Sequence, residues 1–347
     1  MAFTAQEIEN VAQAVLDYHM NTPEVLAQTL QDKPLLERMR AKEENFPGGK
    51  DYITVRVKGE YSTTIQGFEH DDTVTYGNPA NLKTAQYPWK LIHSGIQVTM
   101  HELLKAGISI RDTANGKGES RHSENEKIVL ADLLKDKVED MIEGTDRGMN
   151  TMFWQDGTSD SKLVPGLTSF ILDDPTSATV VGGIDQSANA WWRNRAALGL
   201  TATTPGDQVV VTKLQKEWRQ LRRYGGRPDL VLCGSDFIEA VEKELRSKGN
   251  YTMEGWTSKK STDASIADVS FKGVKFTYDP TLDDMSKSKY CYVLDTRRIF
   301  PKVIDGENGK DHTPARPENK YVFYRARTWV GGLVCTQRNC HGVYSIA

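Results

Sequence analysis

The sequence predicts an α+β protein, and three patterns lead to that prediction. Apolar residues recur at helical spacing from Ser123 to Trp154. The last third of the chain is rich in β-branched and aromatic runs separated by turn residues, which is typical of strands. Between these regions, residues 212–249 alternate helix, strand and helix patterns with short links. Helices and strands grouped in this way favour a mixed fold with more than one core.

Length and charge limit the classes of protein that fit. At 347 residues the chain exceeds the roughly 100–200 residues of one domain, so we expect two or three units. The 44 Lys and Arg residues nearly balance 47 Asp and Glu residues, with no long block of either sign. This argues against a dedicated nucleic-acid binder and against a polybasic membrane anchor. No apolar run approaches the ~20 residues of a bilayer span, so we expect no membrane partner and a soluble protein made in the cytosol.

Residues 1–50 predict an arm. Thr4 opens a capping box, and Pro23 and Pro34 each restart a short helix. The third helix has an apolar stripe of Leu35, Leu36 and Met39. Three short helices broken by prolines cannot build a core, so this arm must lie on the rest of the chain or on a neighbour.

Residues 51–100 predict a long two-stranded excursion. Ile53, Val55 and Val57 alternate with polar residues, which indicates a half-exposed strand. The stretch Gly59–Tyr87 is polar, and strand-like runs from Trp89 to Met100 bring the chain back. A two-stranded excursion is barely stable alone, so we expect a projecting loop that gains order by contact.

Residues 101–163 predict one long helix. A capping box at Ser123 starts it, and at 1.5 Å per residue it reaches Trp154 after about 45 Å. One face carries Leu130, Leu134, Val138, Met141, Thr145, Met149 and Met152. Gly144 and Gly148 weaken this helix by roughly 1 kcal/mol each, so a bend or close packing is expected there.

The range 164–265 predicts a compact α+β unit, and 266–347 predicts strands. In the first, Thr212 opens a helix with Leu214, Trp218 and Leu221, the strand 229–233 follows, and Ser235 caps the next helix. The predicted strands of the second range are 269–271, 274–278, 290–294, 321–324 and 329–335. Residues 250–264 predict a mobile loop.

The search for chemistry finds no convergent site. Ser235 lacks the glycine two residues later that a nucleophile elbow requires, so it is better explained as a helix cap. Cys335, Cys340 and His341 could bind a metal only if a strand folded back sharply. The four cysteines include no C-x-x-C pair, which favours buried free thiols. We therefore predict no catalytic residue, no cofactor and no metal.

Several stretches resemble the major capsid proteins of tailed bacteriophages. They are Gly166–Leu167, Gly182–Asp185, Asn189 to Asn194 with its tryptophan pair, Phe271–Val274, Tyr278–Pro280, Tyr290–Asp295 and Trp329 to Tyr344. The resemblance implies the Hong Kong ninety-seven type capsid fold. Its parts would be an N-terminal arm (1–50), an extended β-hairpin E-loop (51–100), a peripheral domain with the spine helix (101–163), an axial domain (164–265), and peripheral return strands with a C-terminal axial segment (266–347).

The resemblance also implies a function. It implies self-assembly as hexamers and pentamers into an icosahedral shell around double-stranded DNA, which the protein would contact non-specifically at most. The implied location is the virion, after assembly in the host bacterial cytoplasm, with portal, scaffolding and decoration proteins as further partners. Two alternatives stay open: a shell of the encapsulin type, and a soluble hydrolase with an unrecognised site.

The expected functional residues are subunit contacts. Some members of the resembled family join E-loop lysines to a neighbour's asparagines, which makes Lys58, Lys83 and Lys90 candidates by location, although solvated or paired charges are the more common state. Trp191 and Trp192 fit a core corner or a subunit seam equally well. The full set of interface candidates is Lys58, Tyr61, Phe68, Tyr76, Lys83, Trp89, Trp191, Trp192 and Arg193.

Overall fold

Helices and strands follow the predicted patterns for much of the chain. The computed structural model describes residues 3–4, 31–61, 63, 65–77, 81–105, 110–111, 124–201, 209–247, 270–312 and 322–347. In those ranges the helices, α1 to α7 in chain order, are Pro34–Arg40, Met100–Lys105, Glu124–Trp154, Leu167–Phe170, Val209–Arg222, Ser235–Ser247 and Pro280–Asp284. The strands, β1 to β17, are Phe3–Thr4, Glu44–Phe46, Tyr52–Lys58, Leu82–Pro88, Lys90–Thr99, Ile110–Arg111, Val180–Val181, Ile184–Asp185, Arg195–Leu200, Leu230–Cys233, Ser270–Phe271, Val274–Tyr278, Tyr290–Leu294, Ile299–Ile304, Lys310–His312, Val322–Cys335 and Gly342–Ile346.

The described residues fall into two compact units. The first is drawn from Met1–Gln31, Leu91–Met149 and Ile304–Val330. The second is drawn from Asp32–Lys90, Asn150–Val303 and Gly331–Ala347. Each unit takes segments that are distant in the sequence, and α3 and β16 contribute residues to both. The two or three units expected from chain length are therefore two, although their limits differ from the five predicted ranges.

A six-stranded sheet is the centre of the second unit. Its strand order is β11, β12, β10, β13, β17 and β9. The helices α5 and α6 bury their apolar faces against it, with Leu214, Trp218 and Phe237 among the core residues. The predicted helix, strand and helix of this region are confirmed. Strands from before and after residue 265 share this one sheet, because non-local pairing joins them.

The start of α5 differs from the prediction. The helix is already formed at Val209, so Thr212 lies in its first turn and does not cap it. Glu244 of α6 accepts hydrogen bonds from the N–H groups of Val210 and Val211 at 3.2 and 3.3 Å. A carboxylate from another helix therefore satisfies N–H groups that the start of a helix leaves without intrahelical partners.

Several strands were predicted with wrong limits or not at all. The runs 321–324 and 329–335 form parts of one strand, β16, because the polar residues between them also pair. In the second unit β16 pairs with β14, which the sequence patterns did not indicate, from Ile299 opposite Cys335 to Val303 opposite Gly331. The edge strand β9 and the C-terminal strand β17 were also missed.

The first unit contains most of the long helix predicted from periodicity. The limits of α3 agree with the prediction, and Val138, Met141 and Met149 are buried on its apolar face. The side chains of Leu130 and Leu134 lie outside the described residues. Among the described residues nothing lies within 4 Å of a Cβ built at Gly144 or Gly148, so the close packing expected at these glycines is not found.

A second helix of this unit was not predicted. Thr99 and Glu102 form a reciprocal capping box at the start of α2, with hydrogen bonds of 3.0 and 3.3 Å. The expected strand 96–100 ends there. Lys137 of α3 forms an ion pair with Glu102 at 2.9 Å and so joins the two helices.

The third helix of the predicted arm is α1, and it lies on its own protomer. Leu35, Leu36 and Met39 are buried within one chain. The amide of Leu36 donates to Asn150 Oδ1 at 3.0 Å, and Asn150 donates to Thr281 at 2.8 Å. Strand β1 pairs in parallel with β6, which also joins the start of the chain to its own protomer. The helices predicted around residues 8–30 and the loop 250–264 lie outside the described residues.

Candidate subunit interface

The predicted excursion is a β-hairpin with an anchored base. Strands β3 and β4 are antiparallel, from Tyr52 opposite Pro88 to Lys58 opposite Leu82. The return strand therefore lies inside the polar stretch, earlier than predicted, because pairing with β3 compensates for its weak apolar pattern. Tyr87 fixes the base: its hydroxyl donates to the Cys335 carbonyl at 2.6 Å, and its ring packs edge-on against Phe170 at 5.4 Å.

Beyond this base lies an exposed segment, residues 65–77, which we name the hairpin tip. Two hydrogen bonds between Gln66 and Thr75, at 2.7 and 3.1 Å, hold its two sides together. The amide of Glu69 donates to the Asp72 carboxylate at 2.9 Å and closes the turn. These bonds fix a local shape without giving the segment a core.

The hairpin tip exposes large apolar side chains. Ile65, Phe68 and Tyr76 are 101%, 70% and 95% exposed, and the preceding Tyr61 is 81% exposed. Single exposed apolar residues are ordinary, but several on one short segment mark an interaction surface. A role of Tyr61, Phe68 and Tyr76 in a subunit contact stays a prediction, and their exposure leaves all three side chains accessible to one.

Two of the three lysine candidates have a partner within the protomer. Lys58 Nζ lies 4.4 Å from the centre of the Tyr61 ring, a cation–π contact. Lys83 Nζ donates to Asn189 Oδ1 at 2.9 Å. In this protomer Lys83 is thus joined to an asparagine of its own chain by a hydrogen bond. Lys90 is half-buried in β5.

The tryptophan candidates divide between core and surface. Trp192 is 1% exposed, and its indole N–H donates to the Val181 carbonyl at 3.1 Å. Trp191 is half-buried and meets Trp192 edge-on at 5.7 Å. A Cβ at Gly59 would lie 2.9 Å from the Trp191 ring, so glycine is needed for this close approach to the hairpin.

The other two candidates are partly exposed but already hydrogen-bonded. The Trp89 indole N–H donates to the Lys50 carbonyl at 2.8 Å. Arg193 Nε donates to the Gln186 carbonyl at 2.8 Å. Both side chains hold loops of their own chain in place, and a role of either one in a subunit contact stays a prediction.

A buried arginine, which the sequence patterns did not single out, organises the region behind the tryptophan pair. Arg338 donates to the carbonyls of Phe170 and Trp192 at 2.7 and 3.0 Å, and to Gln186 and Asn194 at 3.1 Å each. Its guanidinium also lies 5.8 Å from the Trp192 ring. Burial disfavours the charged form and lowers the pKa of Arg338 to about 10. The guanidinium stays charged near neutral pH and joins four chain segments.

The cysteines and His341 do not form a metal site in the described part of the chain. No group of three His, Cys, Asp or Glu side chains among them could hold a metal ion. Burial raises the pKa of the Cys335 and Cys340 thiols to about 12, so they are poor thiolate ligands. All four cysteines are free and buried, as predicted.

Ser235 begins α6, and its amide N–H donates to Asp283 at 3.1 Å. It is therefore the first residue of the helix and not the cap before it. Within the described part of the chain, no helix is long and apolar enough to cross a membrane.

Comparison with known proteins identifies the fold. No protein-family model matches the sequence, and no curated protein matches it. Among solved structures, the chain is similar to the cyanophage A-1(L) capsid subunit, with a TM-score of 0.67, 14% identity, and 93% and 94% of the two chains covered.

Two further solved structures agree. The capsid of Myoviridae phage XM1 gives a TM-score of 0.56 at 13% identity, covering 93% of this chain and 95% of that chain. The capsid of a native GTA particle gives 0.55 at 12% identity, covering 94% of each. The predicted capsid fold of the Hong Kong ninety-seven type is therefore confirmed for almost the whole chain.

Proposed function

We propose that the chain is the major capsid protein of a tailed bacteriophage. The observation that carries this proposal is the hairpin tip, which exposes its apolar residues although its base is anchored in the core. Such a segment does not stabilise a monomer. Its exposed apolar area lowers solubility, and ordering its turn costs conformational entropy that no core compensates. A second copy that covers the tip would supply the missing burial. The capsid fold of the whole chain supports the same conclusion.

The proposed assembly is a closed shell of hexamers and pentamers. Each protomer contact need only be modest, because many contacts per subunit and closed symmetry add to a stable structure. The partner of each copy is therefore first of all another copy. Portal, scaffolding and decoration proteins, and packaged double-stranded DNA, are further partners of this proposed role. The proposed location is the virion, with assembly in the bacterial cytoplasm.

The weak overall charge fits this role. A formal charge of −3 on 347 residues gives the shell no strong attraction for DNA, so contact with the packaged nucleic acid would be non-specific. The proposed E-loop is the β3–β4 hairpin with its tip, and the proposed spine helix is α3. Within the proposed arm, the described elements β1 and α1 both contact their own chain, so no contact with a neighbour is proposed for either of them.

Electron microscopy of the purified full-length protein tests the proposal. Concentrated samples should contain capsomers, shells or tubes, and sedimentation velocity should show a matching large species. A protein that stays monomeric at all concentrations and salt conditions would contradict it. Nucleic acid inside isolated particles supports the phage role, whereas an enclosed cargo protein would indicate a cellular compartment.

A further inference from the structure

A groove on the second unit has a charge opposite to that of the hairpin tip. Two adjoining cavities of about 650 and 340 Å³ share Glu60, Trp191, Tyr224 and Asn339 in their walls. Together they form what we name the basic groove. Cavities of roughly 300–1,000 Å³ are large enough for a small ligand or the side chains of a peptide turn.

The walls of the basic groove are rich in cations. The exposed or half-buried ones are Arg56, Lys58, Arg193, Arg195, Arg223 and Arg298, and Glu60 is the single acid among the described lining residues. Arg195 is paired with Glu217 at 2.8 Å. In the described part of the chain, Arg56, Lys58, Arg223 and Arg298 have no carboxylate partner within ion-pair distance. The groove therefore favours a negatively charged occupant.

Aromatic rings stand beside these cations. Lys58 lies over Tyr61, and Arg223 lies 5.4 Å from the centre of the Tyr224 ring. Tyr224 is itself exposed, and Trp191 is half-buried between the two cavities. Aromatic and arginine side chains in one concave site are the composition of a binding hot spot. An occupant with an apolar anchor as well as acidic groups fits this composition.

The hairpin tip has both properties. Its turn carries Glu69, Asp71 and Asp72 beside the exposed ring of Phe68. All of these residues are exposed in the protomer, so the tip does not lie in the groove of its own chain. The groove also lies beside Arg56–Tyr61, near the start of the same hairpin, from which the tip projects. The matching occupant is the tip of a second copy.

We propose that the basic groove receives the hairpin tip of a second copy of this chain. Phe68 would enter beside Trp191 and Tyr224, while Glu69 and Asp71 would pair with cations of the groove rim. Such a contact joins two different patches of each protomer, so it is head-to-tail and closes into rings when the rotation per copy allows it. This inference rests on the proposed self-assembly and names the surfaces that make the contact.

The contact can be tested by reversing the charge on each side of it in turn. One variant carries Glu69→Lys and Asp71→Lys, and the other carries Arg56→Glu and Lys58→Glu. All four residues are exposed, and Asp72, which closes the turn, is kept. Each variant alone should need about tenfold more protein than the parent chain to associate, since like charges face each other. An equimolar mixture should recover association, because each altered tip then meets a groove of opposite charge.

Sedimentation velocity of the full-length variants, alone and mixed, measures the protein concentration at which they associate. A matched control for the tip variant, Asp136→Lys with Asp305→Lys, makes the same change in net charge at exposed positions that belong neither to the tip nor to the groove lining, and it should associate like the parent. Recovery only in the mixture supports the contact. Variants that associate normally, or a mixture as weak as its components, overturn it. Charge-dependent association without shells in the microscope would refute the capsid role while leaving this contact in place.

Discussion

At the scale of single residues, buried polar groups contribute more to specifying the fold than the exposed residues that the sequence patterns singled out. Arg338 is the centre of one network, and Asp279 is the centre of another. Asp279 accepts from the Trp154 indole at 2.8 Å and from the Thr281 amide at 3.0 Å, and burial raises its pKa. Each network joins chain segments that are more than a hundred residues apart, so its members specify the fold.

Replacing Arg338 should destabilise the protomer strongly. Arg338→Met keeps much of the side-chain volume but leaves buried carbonyls of Phe170 and Trp192 without donors, at a cost of roughly 3 kcal/mol or more. Urea unfolding of the dissociated protomer measures the loss. The control Arg219→Met, on the exposed face of α5, should change stability by no more than about 0.5 kcal/mol. Equal effects of the two changes would contradict the assigned role of Arg338.

His341 should make stability depend on pH. Burial disfavours its imidazolium form and lowers its pKa from 6.5 to about 4. The unfolded chain therefore binds the proton more readily, and stability falls as pH drops below about 6.5. Between about pH 7 and pH 5 this amounts to about 2 kcal/mol.

The variant His341→Asn tests this, because it keeps an acceptor for the Asp295 amide and removes the titrating group. Its unfolding free energy should vary less over the same pH interval. Parallel pH profiles for the two proteins would rule out His341 as the cause.

At the scale of elements, the longer helices lie where the apolar periodicity of the sequence predicts them. The residue at which a helix begins, however, can depend on a hydrogen-bond partner from another part of the chain. In the described part of the apolar face of α3, Val138, Met141, Met149 and Met152 are buried as predicted, because helical spacing places them on one side. The start of α5 depends instead on Glu244, which comes from a different helix. Local patterns carry no information about such a partner.

The glycines of α3 offer a prediction at this scale. Gly144→Ala and Gly148→Ala should each stabilise the helix by about 1 kcal/mol, because both positions are exposed and nothing in the described protomer lies within 4 Å of the added Cβ. Thermal unfolding should show a rise of a few degrees. Gly182→Ala is the contrasting control: its φ of +60° and the Tyr87 ring at 3.1 Å predict a loss of stability. A lower melting temperature for both α3 variants would contradict the prediction.

At the scale of the whole molecule, the described residues form two compact units, and we propose that the exposed hairpin tip serves association. The triple variant Ile65→Ser, Phe68→Ser and Tyr76→Ser should therefore leave protomer stability within about 0.5 kcal/mol of the parent and abolish shell formation. Electron microscopy and urea unfolding report the two properties separately. Leu91→Ser with Val180→Ser, also at exposed apolar positions, should still assemble. An unfolded triple variant would show that the tip belongs to the protomer core.

Apolar spacing within a short window was enough to predict the mixed fold class, the long helix, the α5–β10–α6 order and four of the seven described strands after residue 265. The order of its loose motifs also pointed to the capsid fold. Three features became visible only in the folded protomer: β4 pairs with β3, α1 lies on its own chain, and Arg338 is buried behind Trp192. Those outcomes depend on contacts between residues that lie far apart in the chain, and no local pattern contains the energy of such contacts.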